Sequence, residues 1–113
     1  MPFTIAHAIP TLDELANMLD KAYWEASSVG AKDAIYDCLT TVSKEMLELN
    51  KLSIQDHDLS YEPISHEFKS MTRRLPIFRK NLDHYIVRST TLDSLDSAIS
   101  NSIQLISQEN TEK

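Results

Sequence analysis

The segment Ile64-Ser65-His66-Glu67-Phe68-Lys69-Ser70-Met71 carries the most specific chemistry in this 113-residue sequence. At helical spacing Phe68 and Met71 share an apolar face, which leaves His66, Lys69, Ser70 and Arg73 together on the polar one. An exposed imidazole with a cation one turn away can accept a phosphoryl group on a ring nitrogen. Lys69 would then stabilise the resulting dianion, and the small Ser70 would leave room for a docking partner. The plain alternative is a surface histidine on an ordinary amphipathic helix.

Other reactive side chains are sparse. The histidines at 7, 57, 66 and 84 form neither HxxxH nor HExxH, so a metal site would need His57, Asp56 or Asp58 and distant partners, and none is expected. The single cysteine, Cys38, rules out an internal disulfide and lies beside an apolar stripe, where a thiol behaves as a small hydrophobe. With one glycine, Gly30, the chain has no glycine loop to cradle a phosphate, and no cofactor is expected. Paired carboxylates or a buried His–acid pair cannot be placed, which argues against an acid–base enzyme. Tyr23, Trp24 and Tyr36 read as core and rim, with Trp24 the best anchor for a partner if exposed.

The elements that must position these residues are helical. Scarce glycine nearly excludes hairpin-rich β architecture. Residues 1–10 read as an apolar arm ending at Pro10, and Thr11 with Glu14 as a capping box that opens the first helix. Leu12, Leu15, Leu19, Ala22 and Ala26 form its stripe, and Gly30 is expected as its left-handed cap. A second helix over 31–52 carries Ile35, Leu39, Val42, Met46 and Leu49, and residues 53–62 read as a loop with at most a short helical turn. In the third segment Ile64, Phe68, Met71, Leu75, Phe78, Leu82 and Tyr85 keep one phase through Pro76. That proline should kink one helix or separate two. Thr90 or Thr91 should cap a last helix with the stripe Leu92, Leu95, Ile99, Ile103 and Ile106. The expectation is an all-α, antiparallel up-and-down four-helix bundle over 11–108, with a frayed tail at 109–113.

Charge is unevenly placed. Residues 1–62 hold eleven Asp and Glu against four Lys, whereas residues 63–88 hold six Lys and Arg against Glu67 and Asp83. This basic segment either faces the acidic helices or presents Arg73 and Arg74 to an anionic partner. The net charge of −6 and pI near 5.1 argue against nucleic-acid binding. No apolar run is long enough for a membrane span and no secretory signal is visible, so a cytoplasmic protein is expected.

His66-x-x-Lys69-Ser70 resembles the phosphoacceptor motif of histidine phosphotransfer domains, usually written H-x-L-K-G. Phe68 matches the apolar position two after the histidine and Leu75 the one nine after it. Ser70 stands where the family usually has glycine, and Met71 and Thr72 where it prefers small residues. The resemblance implies an acidic helical bundle with His66 as acceptor, Lys69 as its electrostatic partner and a receiver domain as the donor of phosphate. It also implies a turn between the last two bundle helices near Pro76.

Two functional expectations follow. The first is a protein-interaction or regulatory module without catalysis of its own, binding another protein through Ser70, Arg73, Arg74 and Trp24. The alternative is a phosphorelay carrier using His66 and Lys69. Heptad-like stripes also suit a homodimer.

Overall fold

The computed structural model describes residues 3–52, 54–85 and 89–107 and is all-α. Helix α1 spans Ile5–Glu25, α2 Val29–Asn50, α3 His66–Lys69, α4 Met71–Lys80, α5 Leu82–Tyr85 and α6 Ser89–Ser107, with a 3-10 turn at Ile54–Asp58. The expected tail at 109–113 lies outside the described residues.

Helix α1 starts six residues before the expected cap. Thr4 is the N-cap, its hydroxyl accepting from the His7 amide at 3.2 Å, while the Thr11 hydroxyl donates backwards to the His7 carbonyl at 2.9 Å. Residues 5–10 of the expected arm are therefore helix, with Pro10 inside it. Pro10 cannot bond the Ala6 carbonyl, but both residues are exposed, so the loss falls on the solvent side. The chain before α1 is tied down by an isolated bridge between Thr4 and Ser60, with Tyr61 N–H donating to the Phe3 carbonyl at 2.8 Å.

Gly30 is not a left-handed cap. It sits in the first turn of α2 without a positive φ, and Ser28 caps that helix by accepting from the Ala31 amide at 3.1 Å. Helix α1 instead ends at Ala26 in extended backbone. The third segment is interrupted at Ser70 and Asn81, and helix continues through Pro76. Pro76 forgoes a bond to the carbonyl of exposed Thr72, again on the wet side, which removes the reason to break there. Ser70 keeps αR backbone, so Phe68, Met71, Leu75, Phe78 and Leu82 all stay buried on one face across the interruptions.

Helix α6 begins at Ser89, so Thr90 and Thr91 lie within it. Its buried face is Thr91, Leu95, Ala98, Ile99, Ser102, Leu105 and Ile106, while Leu92 and Ile103 are half-buried. The burying face is thus rotated from the expected stripe by part of a turn.

Helix α1 packs between α2 and α6, α4 packs on α6, and α3 and α5 pack on α2. The register along α2 runs backwards against the third segment. Glu45 meets Ile64 and Ser65, Asp37 meets Arg74, and the Ser27 amide just before α2 donates to the Tyr85 carbonyl. The core consists of the inner faces of these helices together with Tyr61. Among the described residues no helix is long and apolar enough to cross a membrane.

Candidate functional site

The segment leading to His66 is positioned by a buried carboxylate. Glu45 lies wholly inside, on the α2 face between Val42 and Leu49. It accepts from Tyr61 Oη at 2.5 Å, Ile64 N at 2.8 Å and Ser65 N at 2.8 Å. An unpaired carboxylate there would be very costly, so these donors hold the chain to α2. Burial, reinforced by the Glu45 carboxylate, pushes the Tyr61 phenol far above its ordinary range and keeps it a donor. Ser65 then caps α3, its hydroxyl accepting from the Phe68 amide at 3.1 Å. Neither Glu45 nor Tyr61 stood out in the sequence as a site residue, although the 4-3-4 spacing of Cys38, Val42, Glu45 and Leu49 puts Glu45 on the core face.

Beyond Ser65 one exposed face runs through α3, α4 and α5. His66, Lys69, Arg73, Ile77, Lys80 and His84 follow at 3-4-4-3-4 spacing and all are exposed. None of these six positions is an acid. Ser70, beside Lys69, is half-buried, and its hydroxyl donates to the Glu67 carbonyl at 2.7 Å.

Arg74, Arg79 and Glu67 of this segment are engaged elsewhere. Arg74 pairs with Asp37 on α2, and Arg79 grips Asp96 on α6 through Nε at 2.6 Å and Nη2 at 3.2 Å. The fork holds Asp96 below the usual carboxylate range and raises Arg79. Glu67 lies 3.8 Å from Lys44 and is held low by its own backbone amide first, then by Lys44. Lys69, Arg73 and Lys80 have no ion-pair partner among the described residues. The basic segment therefore divides: Arg74 faces acidic α2, Arg79 faces α6, Lys69, Arg73 and Lys80 face solvent, and Arg88 lies outside the described residues.

A shallow groove of about 220 Å³ flanks this face between α2 and α4, lined by Ala34, Cys38, Ile77, Phe78 and Tyr85 together with the Asp37–Arg74 pair. Cys38 is buried there, and desolvation pushes its thiol up to about 12 against a smaller lowering by Arg74. A neutral thiol is a poor nucleophile.

Trp24 is 72% exposed, but at the other end of α2. It sits edge-on to Tyr23 at 5.3 Å, with the Lys32 ammonium 5.9 Å from its ring. Lys32 packs on α2 thirteen residues before Glu45, about 20 Å along the axis. The structure brings His66, Lys69, Ser70 and Arg73 to one surface, diverts Arg74 into a surface pair with Asp37, and leaves Trp24 far from His66, near Ser27, whose amide bonds the Tyr85 carbonyl. Among the described residues no three His, Cys, Asp or Glu side chains cluster as metal ligands.

Compared with protein-family models, curated proteins and solved structures, the chain matches none of them.

Proposed function

We propose that this chain is a non-catalytic protein-interaction module, an antiparallel four-helix bundle whose third side docks an acidic segment of another protein. The observation that carries this reading is the exposed row His66, Lys69, Arg73, Ile77 and Lys80, whose three cations have no ion-pair partner among the described residues. From His66 to Lys80 the row extends about 21 Å, the length of a short helical or extended peptide. Ile77, 62% exposed, supplies an apolar contact in its middle, and the adjoining groove has room for an apolar side chain. The chain as a whole is acidic, but at physiological salt charges beyond about 8 Å are screened, so the local row governs an approaching carboxylate.

The test is binding of a fluorescent oligoglutamate peptide at two salt concentrations. Affinity should fall with salt and should fall about tenfold, or ~1.4 kcal/mol, in Lys69→Glu with Arg73→Glu. Equal binding by that variant would refute the docking face.

A second reading rests on the exposed imidazole of His66 one turn before Lys69. In it His66 takes a phosphoryl group from the aspartyl phosphate of a receiver domain. Acid-labile, base-stable phosphate on the wild type and not on His66→Gln would support it; no transfer from several receivers would leave the docking reading alone.

A further inference from the structure

The outward face of α2 is a separate surface, and its pattern is that of a helix built to meet its own copy. Val29, Tyr36 and Leu47 are 76%, 59% and 62% exposed. At 100° per residue they fall on one stripe with Thr40, which is half-buried. The stripe is symmetric about position 38: Val29 and Tyr36 precede it by the same steps at which Leu47 and Thr40 follow. Two copies of α2 laid antiparallel would therefore set Val29 against Leu47 and Tyr36 against Thr40, twice, about a twofold axis.

Charge agrees with that orientation. One flank of the stripe carries exposed Asp33 in its first half and exposed Lys44 in its second. In an antiparallel pair each flank meets the same flank of the other copy, so Asp33 of each copy comes opposite Lys44 of the other. A parallel pair would instead set this flank against the opposite one, Asp33 beside the other copy's Lys32, whose ammonium already donates to the Tyr23 carbonyl at 2.6 Å, and Lys44 beside uncharged Ser43. Lys44 would exchange Glu67 for that partner, since its present contact is long, at 3.8 Å, and half-exposed. Asp37 lies nearer the axis, but Arg74 already neutralises it. On the opposite flank Lys32 meets uncharged Ser43.

We propose that a second copy of this chain docks on this face, forming a twofold dimer through antiparallel pairing of α2. A single helical seam is small beside the roughly 800 Å² per partner of a stable interface, so the dimer is a weak one that responds to concentration. The surface is distinct from the cationic row on α3–α5, and either can fail without the other.

Two single-cysteine probes test the proposal, since Val29 and Leu47 are both exposed and native Cys38 is buried. Val29→Cys and Leu47→Cys, mixed and oxidised at high protein concentration, should form the mixed disulfide dimer, with little dimer from either alone. Val29 is about 27 Å along the axis from its own counterpart in the antiparallel arrangement. Ready linkage of Val29→Cys to itself would mean parallel pairing and overturn the proposal. So would absence of any linkage together with a monomer in sedimentation at every concentration. As a second arm, Asp33→Lys should weaken association in wild-type cysteine background, and adding Lys44→Asp should restore it. Failure to restore it would contradict the charge argument.

Discussion

Removing the Glu45 carboxylate should destabilise the domain more than any surface change. Three donors converge on it: the Tyr61 hydroxyl and the amides of Ile64 and Ser65. A hydrogen bond to a charged group contributes about 1.5–3 kcal/mol, so three independent bonds would set an upper bound of ~5–9 kcal/mol. The bound is not reached, because Ile64 is 39% exposed and Ser65 half-buried, and water can reach their amides after the change. The Tyr61 hydroxyl sits in a residue only 1% exposed, where rehydration is poor. Glu45→Ala should therefore cost about 3 kcal/mol, a large share of the ordinary stability of a small domain. Tyr61→Phe removes one bond and leaves the carboxylate two donors, so about 1.5–2 kcal/mol is expected. In urea unfolding the Glu45→Ala midpoint should fall by about 2 M with an unchanged slope. Hydrogen exchange at the Phe68 amide should quicken in both variants, because Ser65 can cap α3 only while Glu45 holds its backbone. The two changes should be non-additive by about 1 kcal/mol or more, since they share a bond. A Glu45→Ala variant within about 0.5 kcal/mol of the parent, as at an exposed site, would refute this account of what positions His66.

Gly30→Ala should stabilise by about 0.5 kcal/mol in thermal or urea unfolding, because Gly30 is helical, has no positive φ, and a Cβ there meets nothing closer than Ser28 Oγ at 4.0 Å. Cys38 should resist iodoacetamide in the folded protein and react fully in urea. Because burial raises its folded value to about 12, stability is complete below the ordinary thiol value and falls as pH rises from there to about 12. Cys38→Ala should flatten that slope. Asp96 is lowered by the Arg79 fork, so its contribution is complete above the ordinary carboxylate value and lost as pH falls through the depressed one. Asp96→Asn should cost less than about 1 kcal/mol near neutrality and nothing in strong acid, read by urea unfolding at both.

Helix content and most of the core were legible, because apolar spacing at 3 and 4 reports burial whatever else the residues do. Phe68, Met71, Leu75, Phe78 and Leu82 are buried as their phase requires. Punctuation was less legible. Pro10 and Gly30 read as helix boundaries and Pro76 as either a kink or a break, yet all three lie inside helices. The prolines direct their lost bonds towards exposed residues, and Gly30 occupies a first turn that Ser28 caps. Thr11 and Thr91 have the chemistry of caps but lie inside helices, and the hydroxyl of Thr11 bonds the preceding turn. In α6, small polar residues blurred the face: Ser102 is buried where Ile103 was expected. Placement of His66, Lys69 and Arg73 on one exposed face followed from phase alone. Glu45 escaped notice because a carboxylate on a core face is informative only once its donors, sixteen to twenty residues away, are in view.

The docking claim is tested most directly by mapping amide chemical shifts in the folded protein as an oligoglutamate peptide is added. The account predicts shifts centred on Lys69, Arg73, Ile77 and Lys80, reduced by salt and abolished in Lys69→Glu with Arg73→Glu. Shifts centred on the Tyr23–Trp24 end of α2, or spread evenly over the surface, would contradict it.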